Sequence, residues 1–270
     1  MLRIVTYITK AIGGRLTRTP SQMLMQTAAD VVELFGHGAT ADCRILPHSG
    51  IAVTGAQASD LNMIFLTSGA TSEECEEALE AVCSKGVDAL LVIDEGAENL
   101  RLWANRHNLN CVGQMPLMER KYQEVCPSSK FHVRLGKPQE GRIANKLAAA
   151  AFSLDEAACN IATAAGAFEA AEIDLWVAED QSGLVGCGTF IGSDERVGIY
   201  TMATLPENQG RGVGRAIIET AMAYYQDRGV KLFTLGATEK GFPLYSKIGF
   251  EVITRPHVYV IGASTQFPGG

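Results

Sequence analysis

Residues 197–218, VGIYTMATLPENQGRGVGRAII, constrain the fold of this 270-residue chain more tightly than any other stretch. Within them a strand must stop, turn on glycine and begin a helix. Val197 to Thr204 is mostly apolar or β-branched, the pattern of a largely buried strand. Pro206 has no amide hydrogen to give to a ladder, so pairing should end beside it. Gln209-Gly210-Arg211-Gly212-Val213-Gly214 follows, and then Val213, Ile217, Ala221 and Tyr224 recur at helical spacing. A glycine-rich turn at a helix start offers unpaired amides and the positive end of the helix dipole, which suits an anion. A Cβ atom there would keep a phosphate from approaching the backbone.

A glycine cluster by itself more often marks a plain turn than a ligand site. The ATP-type phosphate loop needs GxxxxGK[ST], and no Lys-Ser or Lys-Thr follows these glycines. The dinucleotide fingerprint needs GxGxxG, and Gly210 to Gly214 gives GxGxG, one residue short. What fits is Gln-x-x-Gly-x-Gly after a strand and a proline. With Gln209, Gly212 and Gly214 in these places, and Ala203-Thr204-Leu205-Pro206-Glu207 leading in, the chain resembles the GNAT superfamily of acetyl-CoA-dependent N-acetyltransferases.

A second match lies downstream. Lys231 to Leu235 reads as a short strand and Gly241 to Ile248 as a short helix, with Pro243 tolerable in its first turn. The run from Gly241 through Leu244, Tyr245, Gly249 and Phe250 resembles the second GNAT signature, roughly LYxxxGF, with Gly249 as a left-handed helix cap. Many members carry Asn seven residues before the tyrosine, where this chain has Thr238; the side-chain contact to the pantetheine arm departs from the pattern there. The resemblance covers residues 131 to 261. It implies a splayed, mixed β-sheet flanked by helices, in the α/β (α+β) class. It also implies that acetyl-CoA is bound by the backbone of Met202, Ala203 and Thr204 along the strand, and by Gln209, Gly210, Arg211, Gly212, Val213, Gly214 and Arg215 around the pyrophosphate. Arg211 and Arg215 would add charge, or stand as ordinary solvated arginines. Tyr245 is then the general acid to the departing thiolate; by spacing alone it belongs to an apolar helical stripe with Gly241, Leu244 and Ile248.

The earlier part of the chain repeats the same order of elements. Asp60 to Thr67 reads as a strand, Ser72 to Ser84 as a Glu-rich helix, Val87 to Ile93 as a strand, Asn99 to His107 as a helix and Asn110 to Met118 as a strand. Gly86 stands 17 residues before Trp103, and Gly229 stands 16 before Tyr245, as two copies of one unit would show. The first copy has no Gln-x-x-Gly-x-Gly loop; Glu73, Glu74, Glu76 and Glu77 stand there and would repel a pyrophosphate. The expectation is a tandem of a degenerate half and a competent half, against an unrelated α/β domain as the alternative. The expected division is a flexible lead over 1–20, a degenerate domain over 21–127 and an acetyl-CoA-binding domain over 131–270. The break is the polar Cys126-Pro-Ser-Ser stretch.

Composition sets the outer limits. With 47% apolar and 20% charged residues the chain is an ordinary globular one. Its net charge of −7 argues against a nucleic-acid partner. No run approaches a membrane-spanning length. The seven cysteines are scattered, without CxxC, which fits reduced thiols in a cytoplasmic setting. No metal is expected, since His37, His48, His107, His132 and His257 show no ligand spacing. Residues 1–29 carry basic and hydroxyl side chains but no Asp or Glu, the composition of a transit peptide or, as expected here, of a disordered or partly helical lead. The implied reaction is direct acetyl transfer from acetyl-CoA to a primary amine of a small molecule or peptide. The alternatives are a non-catalytic acyl-CoA sensor or interaction protein, and a transferase of longer acyl groups. A base must free the amine of its proton; Asp174, Glu179, Asp194, Glu195 and His257 lie in the right half. Monomer and homodimer are both compatible with the sequence.

Overall fold

Thr19 and Pro20 open the first helix, α1 (Pro20–Phe35), in the computed structural model, which describes residues 18–125, 127, 130–192 and 195–263. Proline suits the first helical position, where its missing amide costs nothing. The Thr19 hydroxyl accepts from the Gln22 amide while the Gln22 side chain accepts from the Thr19 amide, a capping box that fixes the start. Residues 1–17 of the expected lead lie outside the described residues. Residues 20–29 are regular helix, with Met23, Leu24 and Ala28 buried.

The chain continues through β1 (Asp42–Ile45), β2 (Ser49–Val53), β3 (Asn62–Leu66), α2 (Ser72–Lys85), β4 (Ala89–Ile93), α3 (Glu98–Arg106), β5 (Asn110–Gln114) and β6 (Leu117–Lys121). The second half runs β7 (His132–Leu135), α4 (Gly141–Phe152), α5 (Glu156–Ala162), β8 (Ile173–Asp180), β9 (Gly183–Gly192) and β10 (Arg196–Thr204). It ends with α6 (Val213–Gln226), β11 (Leu232–Gly236), α7 (Phe242–Lys247), β12 (Glu251–Thr254) and β13 (His257–Ile261). The expected repeat is present: β3-α2-β4-α3-β5 has its counterpart in β10-α6-β11-α7-β12. In both, the first two strands pair in parallel across the intervening helix.

The strands form two mixed sheets, β1-β2-β3-β4-β13-β5 and β12-β6-β11-β10-β9-β8-β7. Two strands cross the expected division of the chain at residues 127–131. β6 leaves the first half to lie between β11 and β12, and β13 leaves the second to lie between β4 and β5. Asn110 to Met118, expected as one strand, is therefore two, broken at Met115-Pro116; the return crossing is Arg255-Pro256. Proline ends a ladder and holds the residue before it extended, so each step stops one strand and re-aims the chain toward the other sheet. The crossings touch: the Met115 amide donates to the Pro256 carbonyl at 3.0 Å, and the Ala237 amide donates to the Pro116 carbonyl at 2.9 Å. Of the proposed break, Cys126, Ser128 and Ser129 lie outside the described residues.

Helix α1 fills the space between the sheets. Its Leu24 and Ala28 share one apolar cluster with Phe65 and Val92 of the first sheet and with Leu117 and Ala203 of the second. α4 joins the same cluster through Ala144, Leu147 and Ala148. On the outer faces, Cys75, Val82 and Leu100 of α2 and α3 cover the first sheet. Ile217, Ala221 and Tyr245 of α6 and α7 cover the second. No helix among the described residues is long and apolar enough to cross a membrane.

Candidate functional site

β10 pairs with β11 only from Arg196↔Leu232 to Ile199↔Leu235, although it runs on to Thr204. Beyond Ile199 the two parallel strands part. At the same point Tyr200 pairs with Thr189 and Ala203 with Cys187, so Thr201 and Met202 together stand opposite Gly188 in a bulge. Thr201 has φ +47, a left-handed conformation uncommon for a β-branched residue. After the bulge the ladder to β9 resumes with the Leu205 amide donating to the Val185 carbonyl at 3.0 Å. Backbone groups alternate in direction along a regular strand, so beyond the bulge Ala203 faces β9 as Leu205 does and Thr204 faces the gap, while Met202 lies in the bulge itself. Of the three residues expected to offer backbone to a ligand, Ala203 is thus committed to the neighbouring strand.

The chain leaves β10 through a 3-10 turn at Pro206–Asn208. Gly210 at φ +73 and Gly212 at φ +90 then carry it into α6. No side chain caps this helix; Gly212 is its N-cap. The amides of Val213, Gly214 and Arg215 in the first turn have no acceptor within the helix. The Gln209 and Arg211 amides are engaged, donating to the Pro206 and Asn208 carbonyls. A Cβ added at Gly210 or Gly212 meets no atom within 4 Å. These two glycines serve the turn and leave open space in front of the amides. The loop therefore has what a phosphate needs: free donors, a helix N-terminus and room.

The side chains divide their duties. Gln209 Nε2 donates to the Thr204 carbonyl at 3.3 Å and ties the loop to the strand end. Arg211 lies 3.3 Å from Asp180 and over the Phe131 ring, while Arg215 lies 3.4 Å from Glu219 one turn along α6. Val213 is buried in the core under α6. Gly214 is a packing residue, since a Cβ there would stand 3.3 Å from Leu244 of α7.

Tyr245 sits on α7 with 8% of its surface exposed, its ring edge-on to Phe250 at 6.1 Å. Its hydroxyl has no hydrogen-bond partner among the described residues, and burial pushes its pKa up to about 12. The Thr238 hydroxyl, at the expected asparagine position, accepts from the Gly241 amide at 3.1 Å and so helps start α7.

The candidate bases are not gathered together. Asp174 accepts from the Tyr225 hydroxyl at 2.5 Å. Glu179 is paired with Arg134 and with His132, and the Arg134 hydrogen bond holds its carboxyl below the usual range. Glu195 is exposed before β10. His257 belongs to the first sheet, where burial and then nearby Arg101 lower its pKa. Asp194 lies outside the described residues. Among the described residues, no three His, Cys, Asp or Glu side chains stand together as a metal site would require. Two further residues near the gap, Asp30 and Tyr200, carry no motif; the one available signal was a carboxylate on the buried stripe of α1.

Comparison with known proteins places this geometry. The family model described as an acetyltransferase (GNAT) domain matches residues 171–252, from the start of β8 to β12. Residues 171–252 are thus the part of the second half that matches a GNAT acetyltransferase domain. A mycothiol acetyltransferase of Propionibacterium freudenreichii subsp. shermanii is 33% identical over 88 residues, and this match spans 30% of the chain and 28% of that relative. Among solved structures, a GCN5-related N-acetyltransferase from Kribbella flavida matches with TM-score 0.62 at 15% identity, over 92% of this chain and 96% of its own. A tandem GNAT protein from the clavulanic acid biosynthesis pathway matches with TM-score 0.56 at 10% identity, over 93% of this chain and 98% of its own. At such identities the likeness is one of fold. It extends the GNAT arrangement from the second half to the whole chain, as two mixed sheets flanked by helices.

Proposed function

We propose that this protein transfers an acetyl group from acetyl-CoA directly to a primary amine of a small molecule or peptide. The observation that carries this reading is one continuous surface. The edge of β10 that β11 leaves unpaired, running through Met202 and Thr204, leads past Gly210 and Gly212 to the uncapped amides of α6. In this reading the backbone of Met202 and Thr204 holds the pantetheine amides as a further strand would. The amides of Gly210 and Gly212 through Arg215 hold the pyrophosphate, with the Arg215 guanidinium close by.

Acetyl-CoA supplies the activated acyl group as a thioester. The protein orients it, offers a backbone N–H where negative charge develops on the carbonyl oxygen, and assists the sulfur as it leaves. Tyr245 has the last role. A phenol at about 12 stays protonated wherever the enzyme works. It is also a weaker acid than an ordinary thiol, whose pKa is about 8.5. Tyr245 therefore steadies the departing sulfur by donating a hydrogen bond, and complete proton loss to it would be uphill.

Titration calorimetry with acetyl-CoA, followed by a thiol-release assay over a panel of primary amines, tests the reading. The expected result is saturable binding at one site per chain and release of free thiol only when an accepted amine is present. Absence of binding overturns the assignment. Binding without thiol release from any amine removes the transfer step and leaves an acyl-CoA sensor.

A further inference from the structure

A buried ion pair joins α1 of the first half to β10 of the second, and nothing in the transfer chemistry uses it. Asp30 is 4% exposed and Arg196 is 6% exposed. Arg196 donates to both Asp30 oxygens, at 2.7 and 2.6 Å, and to the Thr234 hydroxyl on β11 at 2.9 Å. The Tyr200 hydroxyl donates to the same carboxylate at 2.7 Å, and the Gln26 side-chain amide donates at 3.3 Å. Residues 196, 198 and 200 share one face of the strand, and the middle one is glycine. A Cβ at Gly198 would collide with the Asp30 carboxylate and stand 2.6 Å from the Tyr200 ring. The carboxylate thus occupies a notch in β10, clasped on both sides. Burial, and next the charge of Asp30, raise the Tyr200 pKa, which keeps the phenol a donor.

The place of this clasp on the strand gives it a consequence. Arg196 lies where β10 and β11 are still paired, and Tyr200 is the last residue paired with β9 before the bulge at Thr201. Two parallel strands left to themselves would go on exchanging hydrogen bonds, and a threonine at positive φ persists only where its surroundings overdetermine it. We propose that Asp30 is a positioning residue for the acetyl-CoA edge: the first half uses it to pin β10 at Tyr200, so that the strand turns away from β11 and presents Met202 and Thr204 to the ligand. This rests on the reading that acetyl-CoA lies along the split.

The test compares the wild-type chain with Tyr200→Phe and Asp30→Asn. Tyr200→Phe deletes one hydroxyl and leaves the Arg196–Asp30 pair intact, so it carries the test should Asp30→Asn fail to fold. Two quantities are measured: acetyl-CoA affinity by calorimetry, and amide hydrogen exchange of residues 196–204 without ligand. For Tyr200→Phe the expected affinity loss is about 10-fold, as for one hydrogen bond to a charged group. Faster exchange should be confined to residues 200–204, a local signature that general destabilisation would not give. Unchanged exchange there, or unchanged affinity, overturns the proposal. A wild-type chain that ignores acetyl-CoA overturns the proposed function instead, and the ligand-free exchange comparison still decides whether this clasp sets the course of β10.

Discussion

The strand–helix–strand units β3-α2-β4 and β10-α6-β11 share an order of elements and a parallel pairing, yet only one is open. In the first, β3 stays paired with β4 to the end of both strands, and the Asp94 amide extends the ladder to the Leu66 carbonyl at 3.0 Å. In the second, pairing stops at Ile199 and the strand bulges away. The helix starts differ in the same sense. The Glu74 carboxylate of α2 folds back to accept from the Thr71 and His48 amides, each at 2.9 Å, and the Thr71 hydroxyl accepts from the Glu74 amide at 3.2 Å. The first unit carries its own anion on its own helix. The second has no side chain in that place, and Gly212 is its N-cap. The two units thus share a topology and differ in how far their parallel strands stay paired and in what caps their helices.

The sharpest way to break this contrast is to close the open cradle. Gly212→Val forces a β-branched residue to φ +90 and puts a side chain into space that is now clear. Acetyl-CoA affinity should fall by at least about 100-fold while circular dichroism still reports a folded chain. Near-normal affinity in calorimetry would mean that the phosphates lie elsewhere.

Next in size is the chemical step. Tyr245→Phe should lower turnover by about 10- to 100-fold, the lower range of general-acid effects, with little change in acetyl-CoA affinity. Steady-state kinetics with both substrates saturating reads this directly, and undiminished turnover would assign Tyr245 to the core alone.

The first unit can be challenged in turn. Glu74→Ala removes the capping box from α2, and the midpoint of urea unfolding should report a loss of about 1 kcal/mol. The number of acetyl-CoA molecules bound should stay at one, because β3 and β4 remain paired. A second bound molecule would show that the cap alone had been keeping the first half shut.

The smallest expected effect concerns pH. An acceptor amine with pKa near 10 becomes about tenfold more reactive per unit of rising pH. Tyr245, held at about 12 by burial, remains protonated throughout and should impose no alkaline fall before roughly pH 10. A fall below that point, lost in Tyr245→Phe, would show that the phenol is less buried in solution.

What the sequence discloses follows the range of the forces involved. The loop from Pro206 to Gly214 is legible because glycine and proline act on their own backbone, and the LYxxxGF run from Leu244 to Phe250 for the same reason. The capping box at Thr71 and Glu74 can also be read locally, as a helix start crowded with carboxylates. The exchange of β6 and β13 is not legible, since Pro116 and Pro256 say where a strand ends and nothing about which sheet receives the next one. That choice depends on partners such as His257 and Ile93, far apart along the chain. Asp30 escapes for another reason. A lone acid among Met23, Thr27, Val31 and Leu34 looks like an interruption of an apolar stripe until Arg196, Gly198 and Tyr200 are placed opposite it.

The exchanged strands also govern how the molecule comes into being. On the ribosome the first sheet emerges with β4 and β5 but without β13, the strand that belongs between them. That vacancy at the centre persists until residues 257–261 are synthesised, so the usual sequence of early domain first, late domain second cannot run to completion. Both halves must finish together, through contacts that span most of the chain and are slow to find. Deleting β13 itself, residues 257–261, would therefore be felt first in the opposite half of the molecule.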